Sequence, residues 1–375
     1  MWITSSLQAA KAPTNIALGN FDGVHLGHQQ VMAQILCERP AEKGFDQYFF
    51  SREAIAALHS GLATTGYSHL SDSHLSDGAI TKTDADKATI EPAEPLGQTQ
   101  AASHTTVVTF SPHPHEYFSG QTRQLLTPVA EKAWQLDQLG VQQLVMLPFD
   151  QALANMNPRE FVEKILVNGL QAQRISVGSD FHFGKGRSGN AEVLVDIAAE
   201  HGIPVIQVPL KHEAGDRISS SRIREALQTG DTDTATRLLG RPYILSGRVV
   251  KGQQLGRTLG FPTANLQVPQ KKYLPRTGVY RVYVYGIAQS DEPPNEPLNG
   301  PLKGVMNIGN RPTVSGQALS VEVHVFNWSG NLYGKPLTVS LEGFLRPEQK
   351  FESLNALKAQ IQLDCEQARK LFTRS

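Results

Sequence analysis

Short apolar runs alternate with helical patterns through the first two thirds of the chain. The runs that predict strands are Ile16–Leu18, Thr106–Phe110, Gln143–Leu147, Arg174–Val177 and Pro204–Val208. The segments that predict helices are Gln29–Leu36, Val129–Leu139, Pro158–Val167, Ala191–Glu200 and Ser221–Gln228. This alternation indicates a parallel, doubly wound α/β sheet, whose ligands bind beyond the carboxyl ends of the strands.

The pattern of apolar residues changes near Gly240-Arg241-Pro242, where we expect a boundary between a domain of residues 1–240 and a domain of residues 241–375. Five segments then alternate with a period of two: Tyr243–Val250, Gly278–Tyr285, Gly304–Ile308, Ser320–Phe326 and Leu337–Leu345. Separated by Gly, Pro and Asn clusters, they predict a small antiparallel barrel or sandwich. Helical spacing between Pro347 and Phe372 predicts a last helix on that barrel.

Residues 38–104 follow neither pattern and form a low-complexity insert far longer than an ordinary loop. The pentapeptide Ser-His-Leu-Ser-Asp occurs twice in it, at 68–72 and 73–77. Its His69 and His74 are open to two interpretations, a metal site or a solvated polar segment, and composition favours the second.

Composition places the chain among ordinary globular proteins. The 375 residues are 40% hydrophobic and 19% charged, with a net charge of +0. This balance argues against general electrostatic binding of nucleic acid or an anionic membrane. Cys37 and Cys365 do not form a pair with zinc or redox spacing, and no apolar run reaches membrane-spanning length. We expect a reduced, cytoplasmic protein that is a monomer or a weak homo-oligomer.

The most informative segment is Gly19-Asn20-Phe21-Asp22-Gly23-Val24-His25-Leu26-Gly27-His28, which we call the His box. It lies between a predicted strand and a predicted helix. Free backbone N–H groups and a helix dipole at such a turn suit a polyphosphate, and imidazoles add hydrogen-bond donors. His25 and His28 are therefore candidate catalytic residues for attack at an α-phosphorus.

Two more segments of this half lie at loop positions. Pro112-His113-Pro114 follows the second predicted strand, and the prolines stiffen the loop. Ser219-Ser220-Ser221-Arg222 opens the last predicted helix, where hydroxyls either cap the helix or, with Arg222 and Arg224, cradle phosphate.

A third segment carries a misleading motif. Gly184, Gly186 and Gly189 spell the dinucleotide-binding pattern G-x-G-x-x-G. The preceding Asp180-Phe181-His182-Phe183 separates it from its strand, so the turn is not tight, and the unit comes late in the sheet. A nicotinamide or flavin Rossmann site is therefore not favoured here.

The second half has its own phosphate-binding candidate in residues 251–265. Gly252, Gly256 and Gly260 allow close approach of backbone amides to phosphates. Thr263 and Asn265 place two hard oxygen ligands on one face of an extended segment, which suits Mg²⁺.

A candidate general base follows in Val321-Glu322-Val323-His324-Val325-Phe326. Alternation puts Glu322 and His324 on one face and the valines on the other. The Glu322 carboxylate could accept the proton of a primary hydroxyl that attacks a γ-phosphorus.

Together these segments resemble the prokaryotic bifunctional riboflavin kinase/FAD synthetase family. The His box is similar to that family's His-x-Gly-His nucleotidyltransferase motif, and Gly-Arg-Thr-Leu-Gly-Phe-Pro-Thr-Ala-Asn is similar to its riboflavin kinase loop. The resemblance implies a Rossmann-like nucleotidyltransferase domain followed by a Greek-key riboflavin kinase barrel. It implies phosphorylation of riboflavin to FMN by the barrel and adenylylation of FMN to FAD by the α/β half, with ATP and Mg²⁺.

The resemblance also implies roles for residues. Glu322 becomes the kinase base, and Gly19, Asn20, Phe21, Asp22, Gly23, Ser219, Ser220, Ser221 and Arg222 join the two histidines around ATP. The implied flavin contacts of the α/β half are Pro112, His113, Pro114, Asp180, Phe181 and His182. Those of the barrel are Asn307, Arg311, Pro312 and Arg346.

His182 departs from the family, which often has Arg at that position. One alternative is therefore a protein with kinase activity alone. A non-catalytic flavin or RNA binder is a second alternative, and the neutral charge argues against RNA. A nicotinamide oxidoreductase would rest only on the misleading glycine motif.

Overall fold

A computed structural model describes residues 1–36, 103–252, 254–287, 301–313 and 316–373. Its N-terminal half contains a six-stranded, all-parallel sheet with the order β1-β4-β3-β2-β5-β8. The strands are β1 (Trp2–Thr4), β2 (Thr14–Leu18), β3 (His104–Ser111), β4 (Gln143–Pro148), β5 (Ala172–Gly178) and β8 (Val205–Val208). All five predicted strands are confirmed.

Helices cover this sheet. They are α1 (Leu26–Ala33), α2 (Pro114–Ser119), α3 (Val129–Gln138), α4 (Gln151–Asn155), α5 (Pro158–Phe161), α6 (Ala191–Glu200), α7 (Ser220–Thr229) and α8 (Thr232–Leu239). A π-helical segment, Val162–Gly169, continues α5 directly. Because apolar clusters cover both sheet faces, the central residues of the middle strands are apolar and buried, and Ile16, Val107 and Leu144 have no exposed surface.

Short elements that the periodicity did not predict lie in the connections. Two antiparallel hairpins are formed by β6 (His182–Phe183) with β7 (Gly189–Asn190) and by β9 (His212–Glu213) with β10 (Asp216–Arg217). A 3₁₀ turn, Lys185–Arg187, lies inside the first hairpin. Strands of two residues carry no hydrophobic period, so the sequence pattern could not reveal them.

The C-terminal half is a closed antiparallel barrel with the order β11-β12-β15-β14-β13-β16. Its strands are β11 (Ile244–Val250), β12 (Ala264–Gln267), β13 (Gly278–Tyr285), β14 (Leu302–Thr313), β15 (Gly316–Val325) and β16 (Pro336–Pro347). Two helices complete this half, α9 (Leu255–Leu259) and α10 (Leu354–Phe372). The predicted barrel and last helix are confirmed, although α10 begins later than Pro347, at the cap of Ser353.

The barrel core continues into the helices that precede it in the chain. Ile223 and Leu227 of α7 and Leu238 of α8 belong to one buried apolar cluster with Tyr280 and Val323 of the barrel. The two halves therefore share a packed apolar interface, although the sequence texture changes at residue 240. No helix in the described ranges is both long enough and apolar enough to span a membrane.

Some predictions fall outside the described residues. These are the bulk of the insert at 38–104, its His69 and His74, and Cys37. The predicted C-terminal bound of the insert, residue 104, lies too late in the chain. Strand β3 already begins at His104, and Ser103 accepts a hydrogen bond from Asn15. Cys365 is a buried free thiol.

Candidate active sites

The His box occupies the loop between β2 and α1, at the centre of the sheet. Because β2 lies between β3 and β5, the loops that follow these three strands meet at one edge. Phe21 and Val24 have φ angles of 48° and 44°, in a region that side chains seldom adopt. Both are buried, and their packing holds the loop in this conformation.

His25 and His28 stack on each other with ring centroids 3.6 Å apart. His25 is the N-cap of α1, and its Nδ1 accepts a hydrogen bond from the His28 amide over 3.3 Å. In the neutral ring the proton is then on Nε2, which is available to donate to a ligand. The His28 Nδ1 is buried and has no hydrogen-bond partner in the described structure.

Burial dominates the charge state of the imidazoles. It lowers the pKa of His25 to about 4, and it also lowers the pKa of His28, which the neighbouring His25 lowers further. Burial likewise lowers the pKa of His113 to about 4. All three rings are therefore neutral at pH 7 in the free protein and can each donate one N–H.

Asp22 anchors the box. Its Oδ1 accepts from the Thr127 amide over 3.1 Å, and its Oδ2 accepts a short hydrogen bond from Arg224. The Gly23 amide donates to Thr127 Oγ1 over 2.9 Å. Because both Asp22 oxygens are engaged inside the protein, this carboxylate holds the loop, and its contact with ATP stays a prediction.

The serine segment caps α7, which is one of the two interpretations that the sequence left open, and its binding of phosphate stays a prediction. Ser219 caps α7, and its Oγ accepts from the Arg222 amide over 3.3 Å. Ser220 Oγ donates to the Asp22 carbonyl over 2.7 Å, which joins the segment to the His box. Ser221 is exposed at the same helix start.

The two arginines of this segment have different surroundings. The Arg222 guanidinium donates to the carbonyls of Glu213 and Asp216, so it holds the β9–β10 hairpin. Arg224 is the one that reaches the His box, through Asp22. Arg222 was predicted to bind ATP, and that role is untested.

The predicted flavin side of this half lies on the adjacent loops. His113 caps α2 by accepting from the His115 amide over 3.1 Å, with Pro112 before it and Pro114 as the first helical residue. The positive charge of Lys132 lowers the pKa of both His113 and His28, which places these rings in one electrostatic environment.

The loop after β5 is linked electrostatically to the histidines of the His box. Asp180 forms a short ion pair with Arg217, whose charge also lowers the pKa of His25 and His28. His182 Nδ1 donates to the Asp180 carbonyl over 2.8 Å, and Phe181 stacks on Phe183 at 5.6 Å. His182 is thus bonded within its own loop.

The glycine motif of this loop does not form a Rossmann turn. Gly184 and Gly186 have positive φ angles inside the β6–β7 hairpin, and Gly189 is part of β7. A dinucleotide-binding turn passes directly from strand to helix. The structure therefore supports the prediction that this glycine motif is not a dinucleotide-binding turn.

Sequence reasoning missed two cations beside the imidazoles. Lys132 donates to the Asn20 carbonyl over 2.8 Å, and Arg217 pairs with Asp180; the charges of both lower the pKa of His28, after burial and the neighbouring His25. The sequence pointed to Arg222 and Arg224 of the serine segment as the basic groups of this site instead. The signal for Lys132 was faint, because a lysine one turn into a helix is usually a solvated surface residue.

The second site lies on the outer face of the barrel, under α10. Asn265, Glu322 and Asn307 form one row across β12, β15 and β14, as each is the direct partner of the next in the ladder. Directly opposed residues of an antiparallel pair share a face. The row lines a cavity of about 300 Å³, together with Thr263 and His324.

The predicted alternation along β15 is confirmed. Val321 and Val323 are buried in the barrel core, whereas Glu322 and His324 line the cavity. The Thr263 hydroxyl donates to Glu322 Oε2 over 3.3 Å, and His324 Nδ1 donates to the Pro262 carbonyl over 2.9 Å. The loop before β12 is thus fastened to the strand that carries the carboxylate.

The three glycines of the phosphate-loop candidate have steric reasons to be glycine. A Cβ on Gly252 would lie 2.3 Å from Asn265 Nδ2, and one on Gly256 would lie 2.4 Å from the Phe261 carbonyl oxygen. Gly260 has a φ of +88° at the end of α9. Gly256 also lines the cavity.

On the predicted flavin side of the barrel, Asn307 and Arg346 line the same cavity. Arg346 is held by Asp364 of α10 through two hydrogen bonds, of 2.8 Å from Nε and 2.7 Å from Nη2. Arg311 and Pro312 belong to β14, and their side chains lie outside the described part of the chain.

Hard oxygens are present where Mg²⁺ was predicted. Thr263 and Asn265 both line the cavity next to the Glu322 carboxylate, and such a donor set fits a magnesium ion that is also bound by phosphates. Among the described residues there is no group of three or more His, Cys, Asp or Glu side chains arranged to hold a metal.

An α/β half with a nucleotide-type His box and a barrel with a carboxylate above a glycine-rich loop define a transferase with two sites. A family profile for FAD synthetase matches residues 7–50 and 90–222, and one for riboflavin kinase matches residues 239–372. The chain belongs to the family of bifunctional riboflavin kinases/FAD synthetases, which are transferases of flavin biosynthesis.

Individual relatives agree with both profiles. A bifunctional riboflavin kinase/FMN adenylyltransferase of Pseudomonas fluorescens is 36% identical over 94% of this chain and 91% of its own length. The protein of the same name from Escherichia coli K12 is 39% identical over 71% of this chain and 82% of its own. That of Bacillus subtilis 168 is 30% identical over 98% and 95%.

A solved structure shares the architecture. A crystal structure described as a macrolide-efflux protein from Streptococcus pneumoniae superimposes with a TM-score of 0.69, covers 98% of both chains and is 24% identical. At this identity the likeness concerns the fold alone.

Proposed function

We propose that this flavin-cofactor transferase works through the two sites described above, one in residues 1–240 and one in residues 241–375. The barrel phosphorylates riboflavin to FMN, and the α/β half transfers the adenylyl group of ATP to FMN. Two observations support the proposal. Glu322, Thr263, Asn265 and Asn307 line one cavity in the barrel, and the His box is hydrogen-bonded to the serine segment through Ser220 and to β3 through Thr109.

In the barrel, Glu322 is proposed to accept the proton of the riboflavin primary hydroxyl as its oxygen attacks the γ-phosphorus of ATP. The new bond is from that oxygen to phosphorus, and ADP leaves. Thr263 and Asn265 are placed to hold Mg²⁺, which would supply charge neutralisation on the phosphates. The amides near Gly252, Gly256 and Gly260 are proposed to face those phosphates.

In the α/β half, an FMN phosphate oxygen attacks the α-phosphorus of ATP, and pyrophosphate leaves. This transfer needs positioning and charge stabilisation more than covalent help. The neutral imidazoles of His25 and His28 are proposed to donate N–H groups to the phosphates, and Lys132 and Arg217 to supply positive charge. Pro112–Pro114 and Asp180–His182 are proposed to bound the flavin side.

The test is a flavin assay on purified wild-type protein, Glu322→Ala and His28→Ala, with riboflavin, ATP and Mg²⁺. Wild type should produce FAD, Glu322→Ala should produce FAD only from added FMN, and His28→Ala should stop at FMN. Glu352→Ala, which alters an exposed glutamate near α10, serves as the control. If wild type stops at FMN, the protein is a kinase alone; if no flavin changes, the proposal is wrong.

A further inference from the structure

A fully buried ion pair joins the two halves. Lys272, in the segment between β12 and β13, lies 2.5 Å from Glu131 of α3, and neither side chain has exposed surface. Burying two charges costs desolvation energy, and a buried pair is often no more stabilising than an apolar one of equal volume. The position of this ion pair therefore indicates that it fixes how the two halves contact each other.

Lys272 also holds a backbone group of the α/β half. Its Nζ donates to the Leu126 carbonyl over 2.8 Å. The Tyr243 hydroxyl lies 3.2 Å from the same carbonyl but only 2.7 Å from the Tyr273 carbonyl. A phenol has one proton to donate, and the shorter contact takes it. The Leu126 carbonyl therefore depends on Lys272.

The residue after Leu126 is the anchor of the His box. Thr127 donates its amide to Asp22 and accepts the Gly23 amide at its hydroxyl. Leu125, on the other side, exchanges backbone hydrogen bonds with the barrel, accepting from the Tyr273 amide over 2.8 Å and donating to the Lys271 carbonyl over 2.6 Å. Residues 125–127 thus form a bridge from the barrel segment 271–273 to the loop that carries His25.

We propose that Lys272, a residue of the barrel half, is a positioning residue for adenylyl transfer in the other half. By neutralising Glu131 and fixing the Leu126 carbonyl, it sets the place of Thr127 and hence of Asp22, Gly23 and the two histidines. The inference rests on the proposed adenylyl-transfer function of the His box.

The experiment compares Lys272→Met with the double variant Lys272→Met/Glu131→Met in the full-length protein. The single variant leaves Glu131 buried without its cation, so its thermal unfolding midpoint should fall. The double variant removes both charges, and its midpoint should recover. It still lacks the ammonium that holds the Leu126 carbonyl, so its kcat for FAD formation from FMN should stay about tenfold or more below wild type.

Two readouts separate positioning from general damage. Riboflavin phosphorylation by the same double variant should stay within about twofold of wild type, because the barrel site is not reached by this bridge. Lys271→Met is the matched control, since the adjacent Lys271 also pairs across the halves, with Glu116 at 2.8 Å, but is half exposed. A half-exposed ion pair contributes little to the stability of the fold, so the Lys271→Met variant should keep both riboflavin phosphorylation and FAD formation.

Full adenylylation by the double variant would overturn the positioning role, as would a parallel loss of both activities. In either case wild type still makes FAD, so only this inference fails. If wild type itself makes no FAD from FMN, the proposed function and this inference fail together.

Discussion

The hydroxyl of Thr263 donates a hydrogen bond to the carboxylate of Glu322 over 3.3 Å, across the junction between β12 and β15. The two residues lie far apart in the sequence, and each came from a different motif. Their contact links the predicted magnesium ligand to the predicted base. The geometry of the candidate phosphate loop and the orientation of the Glu322 carboxylate are therefore linked by one hydrogen bond.

Replacing Thr263 with Val should lower riboflavin phosphorylation and leave FAD formation from FMN unchanged. The valine keeps the shape but removes the hydroxyl, and a hydrogen bond to a charged group contributes about 1.5–3 kcal/mol, or about tenfold to a hundredfold in rate. Steady-state kinase assays at several Mg²⁺ concentrations measure this. Thr263→Ser keeps the oxygen and should retain most activity; equal activity of the Val and Ser variants would contradict the prediction.

Replacing Gly252 with Ala should impair the kinase through Asn265. The new Cβ would lie 2.3 Å from Asn265 Nδ2, so the amide has to move away from its place in the row with Glu322. We expect a raised KM for ATP in riboflavin phosphorylation, with the unfolding midpoint little changed. Gly343→Ala is the control, because its nearest neighbour lies at an ordinary 3.5 Å. An unchanged KM in the Gly252 variant would contradict this account.

Replacing Arg224 with Met should abolish most adenylyl transfer. Asp22 is 4% exposed and would lose its only charged partner among the contacts described for it, which is strongly destabilising for a buried carboxylate. We expect FAD formation from FMN to fall about a hundredfold. Arg222→Met should lower FAD formation less, since the Arg222 guanidinium donates to the carbonyls of the β9–β10 hairpin instead. Chromatography of the flavins measures FAD formation by both variants. A larger loss in the Arg222 variant than in the Arg224 variant would contradict the role given to Arg224.

Acid should destabilise the α/β half below pH 6.5. Burial lowers the pKa of His25 and His113 to about 4, against an ordinary value of 6.5. Above pH 6.5 the rings are neutral in both folded and unfolded chains. Between pH 6.5 and 4 the unfolded chain binds more protons, so the free energy of unfolding falls, by up to about 1.4 kcal/mol per pH unit for each ring.

Thermal unfolding at pH 7.5, 6 and 5 measures this effect. The midpoint should fall with pH, and His113→Asn should fall less steeply than wild type. His212→Asn, at an exposed position of the β9–β10 hairpin, is the control. A midpoint that is equal at pH 7.5 and 5, or that rises on acidification, would show that the rings are not held neutral by burial.

The sequence was most informative where a period or a motif is local. The apolar runs located all five predicted strands of the parallel sheet, and the period of two along β15 placed Glu322 opposite the buried valines. Both features follow from backbone geometry within a few residues. The two-residue strands, the short strands β1 and β12 and the short helices α2, α4 and α9 were not predicted, because they are too short to show a period; the eight-residue helix α8 was also not predicted.

What the sequence determined by itself was thus the order of the longer strands and helices, the change from an α/β half to a barrel half, and the residue types at each candidate site. Only the tertiary structure decided that Arg224 rather than Arg222 reaches the His box, and that Lys132 and Arg217 lie beside the imidazoles. Likewise, only the tertiary structure showed that Lys272 pairs with Glu131. These contacts join residues from distant elements, and their partners are chosen by how the sheet, the helices and the barrel pack, which no local pattern encodes.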